Sequence, residues 1–308
     1  MKTRRRHGTL TLWLIVLGLV SLARAQQQPQ QTPPAQPPQY QQPAAPVTLE
    51  KITDHVYQVK GGSGANCGVI IGEKESMVID AKMSEASAKE MLVHIKKISP
   101  VPIGILAFTH SDGDHVNGIT GFPPDLNIIA HEETKRYMDD AFKDDRQRAY
   151  LPRMTTFGPQ GFEYDLGNRK VKLYYFGPAH TSGDVVVFCP GEKVVIMGDL
   201  IFIGRDPLIH RHKNGSSFGL VKVLREALKL DADVFLSGHA DKAARADVES
   251  LIKSLEEKQN QVQAMIGEGK SLDEIKKFYK IEDRPSQPGR TRFLSLAEVI
   301  FLELTEKK

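Results

Sequence analysis

The sequence holds 308 residues, enough for one large or two small domains around a real core. Its formal charge of +3 is not a nucleic-acid footprint, because five basic residues and no acids fall within residues 1–25. Subtracting these five from 41 Lys and Arg leaves 36 against 38 Asp and Glu, a balance of about −2 that excludes a basic binding face as the source of the high pI.

The first predicted element is an export signal over residues 1–25. A basic stretch, MKTRRRHG, precedes the apolar run LTLWLIVLGLVSLA, and Ala23-Arg24-Ala25 reads as a small-x-small cleavage site. The apolar run is shorter than the roughly 20 residues a membrane span needs. The expectation is a bacterial protein exported to the periplasm or secreted, with no stable membrane anchor after cleavage. Residues 26–46 are almost entirely Gln, Pro and Ala, a composition that buries no core and reads as a linker.

From residue 47 to 308 the pattern changes to short apolar runs alternating with amphipathic ones. Strands are expected at 56–59, 67–71, 77–79, 103–108, 127–130, 171–176, 185–189, 194–197 and 234–236, and helices at 85–98, 132–141, 220–230 and 242–266. A shorter helix at 271–279 opens on Ser271-Leu272-Asp273-Glu274, a capping-box start. Hairpin-like strand pairs mixed with helices predict a layered α/β domain. The apolar tail 291–304 is expected to be buried, either over this domain or in a contact between copies. Cys67 and Cys189 each sit in an apolar strand-like run and read as buried thiols, with a disulfide the alternative.

The residues that carry chemistry follow the strands. His110, His180, Asp199 and His239 end the stretches ILAFTH, YYFGPAH, VVIMGD and VFLSGH, and loops at strand ends are where sites are usually built. The first of these continues as FTHSDGDHVNG, crowding His110, Asp112, Asp114 and His115 into six residues. Imidazole and carboxylate are good ligands for zinc or iron, whereas clustered acids otherwise repel. In an extended turn His110 and Asp112 would face one side, with Asp114 and His115 turned to a neighbouring position.

These ordered motifs (His-x-Asp-x-Asp-His, GPAHTSGD, MGD and SGH) resemble the metallo-β-lactamase superfamily, with further likeness to its glyoxalase II-like and sulfur-metabolism-associated branches. The resemblance implies a four-layer αββα sandwich with two divalent metals, zinc by default and iron as the alternative. It implies that His110, His180 and Asp112 hold one metal. Asp114, His115 and His239 hold the other, Asp199 bridges, and Asp114 also takes a proton. A hydroxide shared by the metals would attack an ester, thioester, lactone or amide of a small-molecule substrate. Two departures point away from β-lactam hydrolysis: Asp112 stands where most hydrolases of the superfamily have histidine, and Asp199 where many true lactamases have cysteine. A two-histidine-one-carboxylate set also suits non-haem iron, so an iron-dependent redox or sulfur-handling protein is the second reading. A metal-binding protein without turnover is the third.

Outside the motifs, His210, His212, Lys213 and Asn214 lie after Asp199 on a stretch expected to border the pocket, and are candidates for substrate binding. Specificity is expected in loops 140–161 and 202–218. His55, His94 and His131 lack motif context and read as surface or capping residues. The sequence carries no signal for oligomeric state.

Overall fold

The computed structural model describes residues 45–282 and 292–306. The expected export signal and nearly all of the linker lie outside the described residues. Four strands, β1 (Thr48–Lys51), β2 (Val56–Lys60), β3 (Cys67–Ile71) and β4 (Ser76–Ile79), pair antiparallel in sequence order. The helix α1 (Glu85–Ile98) then carries the chain across to β5 (Ile103–Ala107), which joins β4 in parallel. A single turn, α2 (Gly113–Val116), follows β5, and β6 (Asn127–His131), α3 (Glu132–Ala141), α4 (Asp145–Arg148) and β7 (Met154–Phe157) complete a seven-stranded sheet.

The second sheet has five strands. β8 (Phe162–Asp165), β9 (Lys170–Tyr174), β10 (Val186–Cys189) and β11 (Val194–Ile196) run antiparallel. After α5 (Ser217–Leu228), β12 (Val234–Leu236) adds to β11 in parallel. Three helices follow: α6 (Arg245–Gly267), α7 (Leu272–Phe278) and α8 (Leu296–Thr305).

The period-two alternation of the strands builds the layers. On β5, Ile105 and Ala107 join a core shared with Val171, Leu173, Val187 and Ile196 of the second sheet. Leu106, between them in sequence, faces the opposite way and packs with Met91 and Ile95 of α1 and Met138 of α3. The outer face of the second sheet meets Leu220, Leu224, Val248 and Leu255 of α5 and α6. Helices therefore cover both outer faces of two packed sheets, which is the four-layer αββα sandwich that the resemblance implies. Among the described residues, no helix is long and apolar enough to cross a membrane.

Local chemistry explains where the helices begin. Ser84 accepts a hydrogen bond from the Ser87 amide at the start of α1, Glu85 sits in its first turn and Lys96 and Lys97 in its last. Buried Ala88, Met91 and Ile95 fall at helical spacing along one face. Ser271 with Glu274, and Ser295 with Glu298, form reciprocal capping boxes at α7 and α8. The apolar tail covers the domain only in part: Leu296, Val299 and Ile300 of α8 are buried in the outer core with α5 and α6, while Phe293 and Leu304 stay exposed. Both cysteines are buried and free, and burial pushes each thiol up to about 11. The disulfide alternative is therefore not what the chain adopts.

Candidate metal centre

Parallel pairing brings the carboxyl ends of β4 and β5 together in one sheet (Ile79 opposite Ala107) and those of β11 and β12 in the other (Ile196 opposite Leu236). The loops that leave these ends carry Asp80, His110, Asp199 and His239, and the β9–β10 loop adds His180. Asp112 is the extended residue before α2, while Asp114 and His115 lie within that single turn. Close approach is possible only with a bare backbone at Gly238, where a Cβ would lie 2.5 Å from Asp199 Oδ1 and 2.8 Å from His115 Cε1.

Seven side chains converge here in three overlapping sets, each with ligand atoms within 4.8 Å of one another: His110, Asp112 and His180; His110, His115 and Asp199; Asp114, His115 and His239. Asp199 reaches in two directions, with Oδ1 3.1 Å from His115 Nε2 and Oδ2 3.1 Å from His239 Nε2 and 3.9 Å from His180 Nε2. Asp112 Oδ2 lies 3.1 Å from His180 Nε2 and 3.7 Å from His110 Nε2. Asp114 Oδ2 lies 3.1 Å from His239 Nε2 and 3.7 Å from His115 Nε2. Ligands about 2.1 Å from a shared tetrahedral ion would stand roughly 3.4 Å apart.

The imidazoles are oriented from behind. Asp80 Oδ2 accepts from His115 Nδ1 at 2.8 Å, and the Leu208 carbonyl accepts from His180 Nδ1 at 2.6 Å. Thr109 Oγ1 is 3.0 Å from His110 Nδ1 while it donates to Asp80 Oδ2 at 2.8 Å, so His110 Nδ1 is the donor of that pair. In their neutral forms all three rings therefore turn an Nε2 lone pair toward the centre. His110 Nε2, His115 Nε2 and Asp199 Oδ1 are buried and have no hydrogen-bond partner, an arrangement costly for polar atoms unless something else binds them. The donor set and its orphaned atoms fit divalent metal ions.

Charge is concentrated accordingly. Burial pushes the Asp112 and Asp199 carboxyls up, but the imidazoles around them outweigh it and hold both well below the usual carboxylate range. Burial likewise works against protonated His180, yet Asp112 raises that ring to about 9. Hydrogen bonds to Asp114 and Asp199 raise His239 to about 9.

The four candidate substrate residues fall differently. His210 is 4% exposed, with Nε2 2.7 Å from Asp112 Oδ2, and Lys213 Nζ lies 2.7 Å from Asp112 Oδ1. His212 packs edge-on against His210, and Asn214 donates to the Tyr137 hydroxyl at 3.2 Å. Of the other histidines, His131 caps α3 and His55 faces Glu192.

Sequence reasoning gave Asp80 no role at the site. Its sequence signal is only a carboxylate directly after the apolar run Met77–Ile79; the structure holds it 1% exposed in a left-handed backbone conformation (φ 68°).

Two packed sheets with helices on both faces and a His/Asp cluster at their edge define a metallo-β-lactamase-type fold. The sequence matches the Metallo-beta-lactamase superfamily over residues 61–239, and the chain belongs to that superfamily. It is 24% identical over 259 residues to the 2,4-dinitroanisole O-demethylase subunit alpha of a Nocardioides species, covering 82% of this chain and 77% of that protein. It is 27% identical over 166 residues to the Metallo-beta-lactamase type 2 of Elizabethkingia meningoseptica, covering 51% of this chain and 64% of that one. The solved metallo-beta-lactamase from Pontibacter korlensis superposes with a TM-score of 0.57 at 16% identity, covering 67% of this chain and 99% of its own.

Proposed function

We propose that this protein is an exported hydrolase that uses two divalent metal ions, zinc by preference, to cleave an ester, thioester, lactone or amide in a small molecule. The observation that carries the reading is the overlap of the donor sets: His110 and His115 each serve two of them, and the two Asp199 oxygens point to different imidazoles. Bound there, the ions would supply Lewis acidity and lower the pKa of water to about 7. His110, His180 and Asp112 would hold one ion and His115, His239 and Asp114 the other, with Asp199 between them. The Asp114 side chain is 22% exposed, so it can meet substrate and accept a proton while held by His239. Asp80 and the Leu208 carbonyl keep His115 and His180 in the tautomer that ligation requires.

The relative named as an O-demethylase of 2,4-dinitroanisole adds activated aryl ethers to the substrates worth testing. The test is a panel of activated esters, thioesters, lactones and aryl ethers with fully metallated mature protein. At least one should be cleaved, and His115→Ala should abolish that turnover. A fully metallated protein inert across the panel would refute the hydrolase and favour a metal-binding role. The His110–His180–Asp112 set favours one second reading, iron at that position acting on redox or sulfur substrates. Iron in the purified protein would select it.

A further inference from the structure

The aspartate at position 112 poses a problem of charge and geometry. A histidine there would offer one nitrogen and no charge. A carboxylate offers two oxygens and a negative charge, and unconstrained it can chelate through both.

Lys213 answers both differences. Its ammonium lies 2.7 Å from Asp112 Oδ1, 3.1 Å from Ser111 Oγ and 3.3 Å from the Ser111 carbonyl, three acceptors for three N–H donors. The side chain is 17% exposed, and its backbone is fixed on the His180 loop. The Lys213 carbonyl accepts from the Ser182 amide at 2.9 Å, the His210 amide donates to the His180 carbonyl at 2.8 Å, and the Ser216 amide donates to the Ala179 carbonyl at 2.7 Å. Asn214 closes the turn with a left-handed backbone (φ 54°). The lysine thus reaches Asp112 from a loop tied to another ligand, not from a free surface.

With Oδ1 held, Oδ2 is the oxygen that faces His180 Nε2 at 3.1 Å and His110 Nε2 at 3.7 Å; His210 Nε2, 2.7 Å away, brackets it from the loop side. We propose that Lys213 is a positioning residue for Asp112: it confines the carboxylate to one metal-facing oxygen and offsets its charge. Together Asp112 and Lys213 present one donor atom and no net charge, as the single imidazole would. The inference rests on the reading of this cluster as a metal centre, and it moves Lys213 from substrate binding to ligand support.

The test uses cobalt(II) as the probe in wild-type, Lys213→Met and Lys213→Arg proteins, followed by metal content and visible absorption. Lys213→Met should free Oδ1 to join the coordination shell. The intense visible band of four-coordinate cobalt should weaken, and Lys213→Arg, which keeps a charged donor, should restore it. A wild-type protein that takes up no cobalt would defeat the metal-centre reading itself. A wild type that binds cobalt, with a Lys213→Met spectrum superimposable on it, would overturn only the role of Lys213.

A double-mutant cycle covers the case in which Lys213→Met folds poorly. Asp112→His alone leaves the ammonium without its carboxylate beside a metal, and should weaken zinc binding by roughly 10–100-fold. Adding Lys213→Met should recover most of that loss. A double variant no tighter than Asp112→His would show that the two residues do not act as a unit.

Discussion

Asp80→Asn isolates the least visible part of the centre. Asp80 Oδ1 accepts from the Thr109 amide at 2.8 Å, and Oδ2 accepts from both Thr109 Oγ1 and His115 Nδ1 at 2.8 Å. A carboxylate satisfies all three donors; an amide has an oxygen on one side only. Whichever way the introduced amide turns, one buried N–H faces another, unless His115 shifts its proton to Nε2 and ceases to be a ligand. A hydrogen bond to a charged group contributes about 1.5–3 kcal/mol. Losing such support costs roughly 10–100-fold in metal affinity, which is about 1.4–2.7 kcal/mol. Asparagine tolerates the left-handed backbone at this position, so strain does not confound the result as it would with alanine. Zinc affinity from competition with a chelator is the assay, with the melting temperature of the metal-free protein as the control for folding. An affinity within twofold of wild type would refute the claim that Asp80 sets the His115 tautomer.

Further outcomes follow from the same geometry. Gly238→Ala should reduce metal content to one ion or fewer by elemental analysis, because its Cβ would sit 2.5 Å from Asp199 Oδ1; full occupancy would contradict the close approach. Metal binding should release protons. In the metal-free protein His180, where burial is outweighed by Asp112, and His239, held by Asp114 and Asp199, titrate near 9 instead of 6.5, and both must be neutral to ligate. Affinity should therefore rise with pH up to about 9, as these two rings lose their protons. Calorimetry at pH 7.5 should show heats that depend on the ionisation enthalpy of the buffer, and identical heats in all buffers would argue against it. Ile300→Ala should cost about 2–5 kcal/mol in denaturant unfolding, because α8 is part of the core; a change below 0.5 kcal/mol would show a loosely attached tail.

The strands that sequence reading missed share a physical cause. Thr48–Lys51, Met154–Phe157 and Phe162–Asp165 are edge strands, the first and last of one sheet and the last of the other. Thr48–Lys51 is exposed at its ends, Met154–Phe157 at its two central threonines and Phe162–Asp165 at alternate residues, and the first and third carry charges, so none shows the apolar run that marks a central strand. α1 and α3 were legible to the residue because cap, charge and apolar spacing agree there. Of the seven clustered residues, His110, His180, Asp199 and His239 were legible because each follows an apolar run, and Asp112, Asp114 and His115 through the motif that resembles the superfamily's. The supporting contacts were not. Lys213 and Asp112 are 101 residues apart, and their meeting depends on how the β9–β10 loop packs against the turn Arg211–Lys213. Asp80 showed only a carboxylate after an apolar run, and its partner His115 is 35 residues away.

Everything proposed for this site depends on its loops holding two metal ions. Elemental analysis of the purified protein, produced in rich medium and dialysed free of loose metal, counts them. About two divalent ions per folded chain are expected, falling by at least one in His115→Ala. A folded chain that retains no stoichiometric metal, or one whose content is unchanged by that substitution, would contradict the dinuclear centre.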